Sequence, residues 1–252
     1  MAEDWDFYLT RIDEHPASTF VDLGQAESAP DVRRPWLFRV SVQMQVIRDD
    51  GLSDDEETET LYAIEDELFA HIGPGLRARY VGRITARGRR DYFYYGQSAE
   101  GFSDAVTRAF VAFPQYAFAC ADQSDPDWEI YFDLLYPGGL DMQTIQNRRV
   151  VEKLSSSGDD LSQPREVDHW MYFPSEHSRD QFFAQVKDEG FRCETFAADE
   201  PDAEFGFGMR LTRNDRVDLD TIDPLAIDLF LRVETCGGEY DGWGCAVIGA
   251  SE

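Results

Sequence analysis

Between residues 36 and 47 every second position is apolar: Trp36, Phe38, Val40, Val42, Met44 and Val46. A period of two predicts a long strand with one buried face. Residues 5–12, with Trp5, Phe7 and Leu9 on one face, and residues 17–23 predict two shorter strands ahead of it. After an acidic run at residues 54–59, Leu61, Ile64, Leu68 and Ile72 recur at helical spacing, and Gly73-Pro74-Gly75 is expected to end that helix. A hairpin follows (78–85 and 91–95), then a helix with Phe102, Val106, Ala109, Phe110 and Phe113 apolar. Two strands, 116–121 and 128–136, complete the first half. From Trp36 the order is β-α-β-β-α-β, the ferredoxin-like order.

The second half repeats that order behind a leading helix. Pro137-Gly138-Gly139 reads as a hinge. Residues 141–154 predict the helix and 165–173 a strand. Ser175 is placed to cap a second helix ending near Gly190. Strands 191–196 and 205–211 flank an acidic loop at 199–204. Leu219, Ile222, Leu225, Ala226, Leu229 and Val233 predict a helix over 218–236. Gly237 and Gly238 stop it, because glycine reaches positive φ without a Cβ clash. The stretch Glu239-Tyr240-Asp241-Gly242-Trp243-Gly244 is expected to lead into a short closing strand at 244–248. The fold class expected is therefore α+β, two tandem ferredoxin-like (βαββαβ) sandwiches with antiparallel sheets. The domains expected are 1–137, with extra strands, and 138–252. The runs 91–95 and 168–172 align without a gap, which suggests a duplication.

Charge narrows the function. The 252 residues carry a formal net charge of −27, and acids outnumber bases on both sides of residue 140. Such a field repels phosphate backbones, so direct nucleic-acid binding is not expected; it suits solubility or a basic partner. No apolar run approaches a membrane span. Cys120, Cys193, Cys236 and Cys245 have no CxxC spacing, so neither a zinc site nor a disulfide framework is indicated, and a reduced, cytoplasmic setting is expected. No metal or cofactor is expected either. The acids of 122–129 lack calcium-loop spacing, and no P-loop, GxGxxG or HExxH occurs. Asp168 and His169 form the best acid–base pair on offer, yet neighbours on a strand point to opposite faces.

The first half, through Trp5 with Tyr8, the run Tyr80-Val81-Gly82-Arg83, the aromatic strand to Tyr95 and the stretch 128–137, resembles a bacterial domain family of unknown function. The second half resembles the regulator of ribonuclease E activity B family, RraB, over about residues 140–248. The resemblance rests on Val150-Val151-Glu152-Lys153-Leu154 with Ser157-Gly158-Asp159, Arg165-Glu166-Val167-Asp168-His169-Trp170, Gly190-Phe191 and Gly238-Glu239-Tyr240-Asp241-Gly242-Trp243-Gly244. It implies a ferredoxin-like fold and a non-enzymatic regulator that contacts ribonuclease E, or another basic or disordered protein, outside the catalytic region. Asp168, His169, Trp170, Glu239, Tyr240, Asp241 and Trp243 are the residues then expected to meet the partner. The alternative is a small-molecule- or metal-dependent enzyme with a pocket between the domains, holding His169, Asp168 or Tyr240.

Overall fold

The structure is a computed structural model that describes residues 3–198 and 204–249. The expected loop at 199–204 falls, apart from Glu204, outside them. The chain divides into two compact units, Met1–Pro137 and Gly138–Glu252.

The first unit holds β1 (Trp5–Ile12), β2 (His15–Asp22), β3 (Trp36–Gln43), α1 (Asp55–Leu76), β4 (Arg79–Ala86), β5 (Arg89–Gly96), α2 (Phe102–Ala109) and β6 (Phe118–Ser124). Its antiparallel sheet has the order β1-β2-β4-β5-β3-β6. The last four strands of that order are a ferredoxin-like sheet, and the β1–β2 hairpin extends it beyond β4. On one face Phe38, Val40, Val42, Tyr92 and Tyr94 pack against Leu61, Ile64 and Leu68 of α1 and Phe102 and Val106 of α2. The acidic run caps α1: Asp54 accepts from the Glu57 N–H at 2.8 Å. The helix runs through Pro74 and ends at Arg77, which takes the left-handed conformation.

Residues 128–136 are not a strand. After a turn they form a short helical segment, of π type over Tyr131–Leu135. Trp128, Tyr131 and Leu135 are buried, at spacings of three and four. Trp128 stacks on Tyr95 with centroids 4.0 Å apart, and the Tyr131 hydroxyl donates to the Asp22 carbonyl at 2.8 Å. The segment thus covers Tyr95 on the second face of the sheet, while Tyr92 and Tyr94 are buried by the helices on the first. Asp125 anchors its start, accepting from the Glu129 and Ile130 N–H groups and from the Tyr95 hydroxyl.

The second unit holds α3 (Gly139–Ser156), β7 (Arg165–Phe173), α4 (Glu176–Val186), β8 (Arg192–Ala197), β9 (Phe207–Asp215), α5 (Leu219–Thr235) and β10 (Glu239–Cys245). The sheet order is β10-β7-β9-β8, all antiparallel. Its core joins Val167, Met171 and Phe173 to Phe182 and Val186 of α4 and to Ile222, Ala226 and Leu229 of α5. After α5, Gly237 at φ 69° lets the Gly238 N–H reach the Val233 carbonyl at 3.0 Å and close the helix end. The glycine-rich stretch that follows is itself the edge strand β10, not a loop leading into one. The aligned runs 91–95 and 168–172 hold different places: β5 is the third strand of its ferredoxin-like order, β7 the first. Their similarity reflects central strands in two sheets, not equivalent positions.

Candidate interaction surface

Alternation along β7 sorts the candidate residues onto two faces. Val167, His169, Met171 and Phe173 point into the core; Glu166, Asp168, Trp170 and Tyr172 point away from the helices. β10 repeats the division. Tyr240 and Trp243 are buried, while Glu239 and Asp241 are exposed. A bulge at Asp241 lets both rings face inward although they are three positions apart.

The buried half of the set is structural in its contacts. His169 is 0% exposed; its Nδ1 shares a hydrogen bond with the Tyr240 hydroxyl at 2.7 Å, and its Nε2 has no partner among the described residues. Burial pushes the imidazole pKa down to about 4 and raises that of Tyr240. The Trp243 indole donates to Asn147 Oδ1 at 2.9 Å, and Asn147 donates to Asp223 at 2.9 Å, so one side chain ties β10 to α3 and α5. Gly238 lies against Phe173: a Cβ there would sit 2.6 Å from the ring. Asp159 and Arg165 form a buried ion pair at 2.6 Å, and Asp159 also accepts from the Ile248 N–H at 2.7 Å. That pair clasps the end of α3, the start of β7 and the segment after β10.

The other half makes a surface. The three helices of this unit pack on the opposite face of its sheet. The Trp170 ring lies over Gly244, 3.3 Å from where a Cβ would stand, and the Phe196 ring covers Gly208. Tyr172 meets Phe196 edge-on at 5.8 Å. Missing side chains on the glycines let the Trp170 and Phe196 rings lie close to the sheet, while the Tyr172 ring stands perpendicular to that of Phe196. Around them Arg192 pairs with Glu166 at 2.9 Å, and Arg210 pairs with Glu194. Asp168 accepts from Thr212 at 2.5 Å and lies 3.9 Å from Arg210. Glu239 and Asp241 add exposed negative charge at the β10 edge. The face is aromatic along its middle and acidic in balance. The sequence pattern shows which residues share a strand face, but the rings over Gly244 and Gly208 are cross-strand pairs that no local pattern reveals.

For catalysis the arrangement offers little. His169 is sealed among apolar groups, and Asp168 lies on the opposite face of the strand. Among the described residues no group of three or more His, Cys, Asp or Glu could hold a metal ion. The four cysteines are free thiols, and burial raises the pKa of Cys193 and Cys245. No described helix is long and apolar enough to cross a membrane.

Residues 3–136 match the model of a family of unknown function (DUF695), and residues 144–245 match that of Regulator of ribonuclease activity B. No match to a curated protein was found. Among solved structures, an unknown protein from Galdieria sulphuraria is 11% identical with a TM-score of 0.23, covering 84% of this chain and 99% of its own. A proposed glycine cleavage system transcriptional repressor is 10% identical with a TM-score of 0.20, covering 84% and 98%. TM-scores this low support no inference about this chain.

Proposed function

The chain belongs to the DUF695 family of unknown function and carries behind that domain the match to Regulator of ribonuclease activity B, and on that premise we propose that it is a non-enzymatic regulator acting by protein–protein contact. The partner is a basic, extended segment of a ribonuclease, ribonuclease E in the first instance. The observation that carries the reading is the outer face of the second sheet: Trp170 and Phe196 laid over glycines with Tyr172 edge-on to Phe196, bordered by the exposed Glu239 and Asp241 and by Glu166, Asp168 and Glu194, which Arg192, Thr212 and Arg210 engage in part. A basic chain with an occasional ring or guanidinium fits such a face, its cations meeting the acids and its flat groups lying on the indole. The overall charge of −27 speeds the encounter with a cation and repels RNA itself.

Of the seven residues singled out from the sequence, Asp168, Trp170, Glu239 and Asp241 are proposed to touch the partner. His169, Tyr240 and Trp243 support the face from beneath. The test is retention of ribonuclease E, and of its non-catalytic region alone, on the immobilised chain at low and high salt. Retention at low salt, lost at high salt and lost in Trp170→Ala, is the expected result. Retention that ignores both salt and Trp170→Ala would place the contact elsewhere, and no retention at all would overturn the choice of partner.

A further inference from the structure

In the first unit, β1, β2, the start of α1 and the adjoining parts of β4 and β5 surround a cavity of about 590 Å³. Its wall contains a half-buried arginine, Arg83, and a buried one, Arg90, in a strongly acidic chain. Arg83 is matched: its Nη1 donates to both Glu65 oxygens at 2.7 and 3.0 Å, and its guanidinium sits 4.2 Å over the Phe20 ring. Arg48 at the rim is matched by Asp50 at 2.7 Å. Arg90 is not matched. The residue is 4% exposed, yet no carboxylate among the described residues lies within ion-pair distance. Its Nε donates to Thr85 Oγ1 at 2.8 Å, its Nη2 reaches Ser53 Oγ only at 3.4 Å, and its Nη1 has no hydrogen-bond partner.

A buried guanidinium faced by the hydroxyls of Thr85, Ser53 and Tyr92 and by no carboxylate is an expensive arrangement unless a negative charge completes it. The unmatched edge of a planar fork suits a carboxylate or phosphate group. The surroundings fit an anion on an apolar body. Ser53 and Thr58 share a hydrogen bond at 2.7 Å, which leaves one hydroxyl proton of the pair as a further donor. Phe20 and Tyr62 supply rings. Tyr62 is 47% exposed and its ring centre lies 5.6 Å from the Arg90 guanidinium carbon. It lines the same cavity as Arg90.

We propose that this cavity binds a small organic anion, a carboxylate or phosphate group on an apolar body, with Arg90 as its charge partner. The volume is that of a metabolite site, not of a groove for a polymer. The site lies in the other unit from the aromatic face and rests on none of the same residues, so either reading stands if the other fails.

Benzoate and phenyl phosphate serve as probes, with neutral benzamide as control. Each is titrated into the full-length chain while the Arg90 Nε–H resonance and the backbone amides of Ser53 and Thr85 are followed by NMR. Saturable shifts with one or both anions and none with benzamide are expected, and the better anion identifies the head group. Arg90→Met should weaken that binding at least about tenfold, the loss of one charge-assisted hydrogen bond. Absence of a saturable shift with both anions, an equal response to benzamide, or unchanged affinity in Arg90→Met would overturn the proposal. Should Arg90→Met fail to fold, the Arg90 Nε–H signal of the unaltered chain decides: moved by an anion and not by benzamide it upholds the site, and unmoved it refutes it.

Discussion

Burial holds the His169 imidazole neutral, its pKa pushed down to about 4 from 6.5, with Asp215 and Asp168 partly opposing and Arg213 adding to the effect. The unfolded chain therefore binds a proton that the folded chain refuses between those two values. Stability is complete above about pH 6.5 and falls as pH drops towards 4, by up to about 3 kcal/mol from this one group. Urea unfolding at pH 7 and pH 4.5 should show the fall, and His169→Leu should flatten it while lowering stability at pH 7 through the lost Tyr240 contact. Glu57 is a buried, hydrogen-bonded polar group of the first unit. Its buried carboxylate accepts from the Gln45 and Val46 N–H groups at 3.0 and 3.2 Å and from the Tyr116 hydroxyl at 3.2 Å. Glu57→Gln keeps the shape but gives up the charge and turns one acceptor into a donor, so a loss of about 1–3 kcal/mol is expected in the denaturation midpoint. The sequence shows Glu57 only as one acid of a helix-capping run; its grip on two backbone amides of another element is a tertiary fact.

Among the elements, those with one clean period were legible: β3 from its alternation, α1 and α5 from their apolar stripes. The stretch 128–136 carried two periods at once. Trp128, Ile130, Phe132 and Leu134 alternate, while Trp128, Tyr131 and Leu135 fall at helical spacing. The second set is the buried one because the sheet face beneath, with Tyr95 at its centre, needs a cover that a strand outside the sheet could not supply. Trp128→Ala should remove about 3–5 kcal/mol from the first unit, read as an earlier unfolding transition. β10 was illegible for the opposite reason. Glycines and acids suggest a loop, but here the glycines make room: Gly238 for Phe173 and Gly244 for Trp170. Gly238→Ala should destabilise the second unit by at least about 1–3 kcal/mol, since the ring and the Tyr172 carbonyl 2.8 Å away both obstruct the methyl group.

At the scale of the molecule, each unit has its own sheet and its own apolar core. Residues 138–252 made as a separate chain should fold cooperatively, with Trp243 shielded from quenchers, and should retain any ribonuclease contact the full chain makes. Glu239→Lys with Asp241→Lys, both exposed, should leave that unfolding curve within about 0.5 kcal/mol while slowing association and weakening its salt dependence. The composition announced a charged surface; only the sheet order shows that its acids border an aromatic strip. The inward turn of Tyr240 and Trp243 has a consequence for genetics. If the second unit binds as proposed, a screen for variants that lose the partner would recover both rings as strongly as Trp170, although both are buried. Phenotype alone would then draw the contact map through the interior of the protein. Counting only variants whose cellular abundance is unchanged would strip those two away and leave the true footprint.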